Sequence, residues 1–116
     1  MNERDVVLTP LPQANGQIKN RPAIVLRRMP QFGDLLICGV STQLHHQVVD
    51  FDDLIEPSHP DYFASGLKAP SLIRLGFLAV LPVSSFTGTI GTISSDRHRN
   101  LLERLASYLY SAGGQP

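Results

Sequence analysis

Apolar residues along this chain gather in short runs broken by proline, glycine and small polar residues, and only near the C-terminus do they recur at helical spacing. Val6, Val7 and Leu8 make the first run, and Pro10 and Pro12 stop it, which predicts a short strand from Asp5 to Thr9. Residues 10–20, with Gln13, Asn15, Gly16, Gln17 and Asn20, read as a polar loop longer than a tight hairpin needs. Ala23-Ile24-Val25-Leu26 and Leu35-Leu36-Ile37-Cys38-Gly39-Val40 flank turn residues and predict a hairpin buried on both faces, with Gly39 marking a bulge or a close backbone approach. Gln47 to Phe51 is expected as a further strand, and Ser58-His59-Pro60 as the opening of a helical turn closed by Gly66.

Between Pro70 and Pro82, Leu72 and Arg74 alternate with Ile73 and Leu75, so one long strand or two broken near Gly76 are expected. Thr89 to Ile93 gives a last strand. Ser94-Ser95-Asp96 then supplies a cap and an acid for a helix carrying Leu101, Leu102, Leu105 and Leu109, stopped by Gly113-Gly114. Short strands followed by one amphipathic helix indicate a mainly β protein, a small antiparallel barrel with a C-terminal helix, and 116 residues fit a single domain over 1–116.

Ten Lys+Arg balance ten Asp+Glu, so no overall basic excess points to nucleic acid. The charge is segregated, however. Lys19, Arg21, Arg27 and Arg28 occupy a stretch without acids, and Asp50, Asp52, Asp53, Glu56 and Asp61 one without bases. A local basic face is therefore compatible with the composition. Cys38, the sole cysteine, excludes an internal disulfide and a Cys-rich metal site, and reads as a small buried hydrophobe. With no basic leader and no run of about 18 apolar residues, the chain is expected to be intracellular and neither exported nor membrane-inserted.

Five segments, in order, carry a more specific signal: the first strand with its polar loop, Asn20-Arg21-Pro22-Ala23-Ile24-Val25-Leu26, Val40-Ser41-Thr42-Gln43, Gly66-Leu67-Lys68-Ala69-Pro70-Ser71-Leu72-Ile73-Arg74-Leu75, and Ile90-Gly91-Thr92-Ile93-Ser94 before the leucine helix. Together they resemble the MazF/PemK toxins over nearly the whole chain. The resemblance implies an SH3-like barrel and a cytoplasmic endoribonuclease of a type II toxin–antitoxin system. It also implies a homodimer held inactive by a cognate antitoxin protein. The family's arginine matches Arg21, and its hydroxyl position matches Ser41 in Ser41-Thr42-Gln43, with serine where threonine is commoner. The family's glycine before the first-strand aspartate is replaced by Arg4.

RNA carries its own nucleophile, the 2′-hydroxyl, so cleavage requires deprotonation of that oxygen, charge stabilisation on the phosphorane and protonation of the leaving 5′-oxygen. No metal or cofactor is called for. Arg21 supplies a fixed charge and a planar donor fork, and Ser41 or Thr42 a hydrogen bond to a non-bridging oxygen. Gln17, Lys19, Asn20, Arg27 and Arg28, with Gln43 and His45, are the candidates for holding single-stranded RNA. His45 or His46 titrates in the range a proton shuttle needs, and in an extended segment only one of the adjacent pair could face the site. Arg74 reads as an outward, solvated residue, and His59 and His98 as structural or surface groups. The competing readings are a toxin that blocks a protein partner without chemistry, and an inactive interaction module on the same barrel.

Overall fold

The computed structural model describes residues 1–12 and 15–111. Six strands, β1 (Asp5–Pro12), β2 (Ile18–Arg28), β3 (Leu35–Ser41), β4 (Asp53–Ile55), β5 (Ser71–Leu81) and β6 (Gly88–Thr92), precede one helix, α1 (Ser95–Tyr110). They form one antiparallel, curled sheet in the order β4-β5-β3-β2-β1-β6, a half-barrel with the helix packed on it.

Strand alternation divides the sheet into two faces, and both are apolar at its centre. Ile24 and Leu26 of β2 join Val6, Cys38, Val40, Ile73 and Leu75 beneath Leu101 and Leu105 of α1. Ala23 and Val25 face the other way and pack with Val7, Leu35, Ile37 and Phe86. The unbroken run at 23–26 is thus buried on both sides, as its composition predicts.

Two expectations fail at the N-terminal hairpin. β1 continues through Pro10 and Pro12, paired with Asn20 and Ile18, so most of the expected 10–20 loop is strand. Partner direction explains why the prolines are tolerated. The Leu8 carbonyl accepts from Thr87 N on the β6 side, so alternate residues 10 and 12 also aim their backbone that way. β6 pairs with β1 only as far as Leu8, so the missing proline N–H groups fall on an open edge. Gln13 lies outside the described residues.

Residues 47–51 are not a strand. Asp52 accepts from Val48 N at 2.9 Å, Phe51 N and Asp52 N return to the Val48 carbonyl, and Asp50 sits at φ 64°, so the segment closes into a turn. The acidic strand that follows is β4, only Asp53–Ile55. The turn closed by Gly66 is present as a 3-10 turn over Phe63–Ser65, with Gly66 at φ 75°. Leu109 is 60% exposed rather than part of the helix's buried stripe, and Gly113 and Gly114 lie outside the described residues. Arg4 occupies φ 80°, the left-handed region that suits glycine; its N donates to Val25 O and its Nε to Ile93 O, which hold it there.

Helix α1 is fixed to the sheet at its N-terminus. Ser94 caps it by accepting from Arg97 N at 3.1 Å. The Arg97 guanidinium donates to Asp61 at 2.9 and 3.0 Å and to Asp53 at 2.6 Å, and Asp61 also accepts from Ser94 N. His98 Nε2 lies 2.7 Å from the Leu26 carbonyl, a tie from helix to β2. The acidic stretch is therefore largely a structural clamp. The Arg97 guanidinium holds the Asp61 carboxyl down at about 2.

Because the folded value lies below the ordinary one, the stabilisation is present above about pH 4 and is lost as pH falls toward 2, amounting to about 2 kcal/mol. Chemical denaturation across that window should show the decline. Asp61→Asn should be less stable at pH 7 and should lack that part of the acid dependence.

Candidate active site

β2 and β3 converge where the two matched motifs lie. The last paired residues are Ala23 and Gly39, two positions short of Arg21 and Ser41 on their strands. Thr9 of β1 pairs with Arg21 and Leu72 of β5 with Ser41, and alternation from Ala23 and Gly39 puts Arg21 and Ser41 on the same face, the one away from α1. Arg21 is exposed and Ser41 half-buried at the strand's last position. The Ser41 hydroxyl accepts from Gln43 N at 3.0 Å. This turn bond fixes the oxygen while leaving its proton to be donated outward. Thr42 is exposed and lies just beyond the strand. Gln43 is exposed, and its backbone serves this turn.

Lys19 shares the Arg21 face by alternation and is exposed. Asn20 points to the other side, where Oδ1 accepts from Thr87 Oγ1 at a long 3.5 Å. Gln17 is exposed in the preceding turn, its N donating to Asn15 Oδ1. Arg27 and Arg28 are not brought to this end. They close β2 six and seven residues beyond Arg21, roughly 20 Å along the strand. There Arg27 donates to Glu3 at 3.0 Å, and Arg28 bonds Gly33 O and Met1 O.

His45 and His46 form a 3-10 turn over Leu44–His46 instead of an extended segment. Their exposed rings therefore meet edge to face at 4.2 Å rather than pointing to opposite sides. His59 Nδ1 accepts from Glu56 N within a turn. Among the described residues no three His, Cys, Asp or Glu side chains converge as metal ligands, and no helix is long and apolar enough to cross a membrane.

Sequence reasoning took Arg74 for an outward, solvated arginine rather than a residue of the groove. It pairs with Gly39 and so stands on the same face as Ala23 and Arg21. It is half-buried rather than solvated, and its Nε is buried without a hydrogen-bond partner. The alternation of Leu72 and Arg74 against Ile73 and Leu75 put those two on one face, but only the β3–β5 register shows which face that is.

A curled antiparallel sheet with one C-terminal helix, bearing an arginine and a hydroxyl on one face of neighbouring strands, defines a small, mainly β scaffold with polar groups on the helix-free face. The chain belongs to the PemK-like, MazF-like toxins of type II toxin–antitoxin systems, whose family description matches residues 2–109. The family is in general one of endoribonucleases. Among solved structures, the Mycobacterium tuberculosis toxin MazF-mt6 is similar at TM-score 0.68 and 17% identity, over 92% of this chain and 97% of that one. A second Mtb toxin structure is similar at TM-score 0.59 and 18% identity, over 84% of this chain and 97% of that one. No curated protein sequence matches.

Cys38 stands directly beside the site in β3 but on the helix side, and burial pushes its thiol up to about 12. The native protein should resist alkylation by iodoacetamide at pH 8 and react only on unfolding, as mass spectrometry would read.

Proposed function

We propose that the protein is a toxin acting as a metal-independent, sequence-specific endoribonuclease on single-stranded RNA. The observation that carries this reading is that Arg21 and Ser41 share one face of neighbouring strands, each two residues past the last β2–β3 pair, with the Ser41 oxygen already engaged by Gln43 N. A phosphodiester laid over this face meets a planar cationic fork from one strand and a hydroxyl proton from the next. Both donors act on oxygens that gain charge as the 2′-oxygen attacks. Bond formation from that oxygen to phosphorus expels the 5′-oxygen, leaving a 2′,3′-cyclic phosphate and a 5′-hydroxyl. The 2′ proton passes to a base and a proton reaches the departing oxygen. A guanidinium is a poor proton shuttle by its chemistry, and His45 is the nearest imidazole in sequence. Lys19 and Gln17 extend this face toward flanking nucleotides.

A cognate antitoxin is the expected partner. An acidic segment laid across Arg21 and Lys19 competes with RNA for the same donors. Self-association is supported by apolar surface the fold leaves uncovered. Leu72, Ile73 and Leu75 are consumed by the chain's own core, but Leu78, Val80 and Leu109 remain exposed. The cytoplasm is the proposed location, since RNA is the substrate.

Purified protein incubated with mixed single-stranded RNA in EDTA should cleave it, with end mapping showing cyclic phosphate and 5′-hydroxyl termini. Arg21→Ala should lower the rate on the order of 10²- to 10³-fold with the fold intact, and Arg21→Lys should not restore it. Ser41→Ala should cost far more than Thr42→Ala. Full activity in Arg21→Ala, or 5′-phosphate ends formed only with added metal, returns the protein to the binding-toxin reading. Sedimentation at micromolar concentration should show a dimer, and a monomer alone would remove the self-association proposal.

A further inference from the structure

Among the described residues, one buried side-chain nitrogen or oxygen lacks a hydrogen-bond partner, Nε of Arg74. A buried donor without an acceptor is unfavourable, and no group among the described residues meets this one. Two carboxylates that adjoin this part of β5 are already engaged: Asp52 accepts from Val48 N and Leu75 N, and Asp53 binds Arg97. An anion arriving over this face is the acceptor that best suits a guanidinium.

What surrounds Arg74 narrows that anion. Arg74 is opposite Gly39, and Ser41 is opposite Leu72, which makes Ser41 and Arg74 diagonal neighbours about 7–8 Å apart, within reach of a long side chain. Arg21 stands diagonal to Gly39 on the other strand. Over Gly39 itself lies the ring of Phe77, which a Cβ on that glycine would strike at 2.9 Å. The ring is 45% exposed. A guanidinium without an acceptor for its Nε and a partly exposed aromatic residue thus stand on the face that carries the arginine and hydroxyl of the proposed site.

We propose that Arg74 and Phe77 form a nucleotide subsite beside the scissile phosphate, the guanidinium binding a neighbouring backbone phosphate of single-stranded RNA and the ring stacking an unpaired base. The subsite rests on the ribonuclease reading and deepens it. Phosphate contact sets register along the strand, whereas stacking tolerates any base, so this pair positions the substrate and leaves base identity to other polar groups. Gly39 is required because a side chain there would collide with the Phe77 ring in the place it occupies.

The test is anisotropy binding of a mixed-sequence single-stranded oligonucleotide carrying 2′-O-methyl groups, which removes the nucleophile, across a range of salt concentrations. Arg74→Gln should weaken binding about tenfold and flatten the dependence of log affinity on log salt by roughly 0.7, the loss of one phosphate contact. Arg74→Lys should restore the slope. Phe77→Leu should also weaken binding about tenfold, with the slope unchanged. On unmodified RNA both variants should raise KM while kcat stays close to that of the wild type. An unchanged salt slope in Arg74→Gln, or unchanged affinity in Phe77→Leu, overturns the subsite; the exposure of Phe77 lets that variant decide the matter even where Arg74→Gln does not fold. Wild-type protein that neither binds nor cleaves single-stranded RNA defeats the functional reading itself, whereas active wild type with silent variants defeats only the subsite.

Discussion

The site depends on a backbone irregularity in β5 and on the one carboxylate that makes it tolerable. Cys38 pairs with Leu78 while the next residue, Gly39, pairs with Arg74, so Leu75, Gly76 and Phe77 have no partner on β3. Three unpaired residues are an odd number, and the alternation of β5 changes phase across them. Before the bulge, Arg74 faces the same side as Ser41; after it, Ala79 and Leu81 return to that side and pack with Leu35 and Ile37. The backbone N–H of Leu75, buried by the bulge, is met by Asp52 at 3.2 Å, and the same carboxylate closes the preceding turn at Val48. A charged group held by backbone donors thus lets one strand serve a polar site at one end and an apolar core at the other.

The sheet divides its labour by face. The side under α1 is closed by leucines and by the Asp61–Arg97–Asp53 clamp, whose groups are turned toward one another and unavailable for other chemistry. The opposite side is apolar only at its centre and becomes polar where β2 leaves its last paired residues. The clamp therefore sets stability without entering the site, and the two properties can be altered by separate substitutions.

Much of this was legible in sequence where local patterning and tertiary environment agree. The 23–26 run, the bulge at Gly39, the Ser94 cap and the left-handed Gly66 each followed from a residue type whose backbone or burial preference the fold satisfies. Motif order singled out Arg21 and Ser41, which the fold sets on one face of neighbouring strands. Failures came where partner strands decide. Pro10 and Pro12 look like strand breakers until one knows that β6 has already ended. Val48 and Val49 look like strand residues, but Asp52 ties them into a turn. Arg27 and Arg28 are near Arg21 in sequence, yet a strand's rise carries them away. Arg74, conversely, is fifty residues off and arrives beside Ser41 only through β3–β5 register, which no single-chain periodicity reveals.

The prolines of β1 have a consequence for how this molecule meets other chains. Past Leu8 the strand has an open side, the kind of border that invites a foreign strand to dock and extend the sheet. At residues 10 and 12 that border offers carbonyl oxygens but no N–H, so an incoming backbone finds only half of each hydrogen-bond pair. The rim nearest Arg21 is thereby protected from sheet extension and fibril-like stacking, and whatever approaches it must bind through side chains.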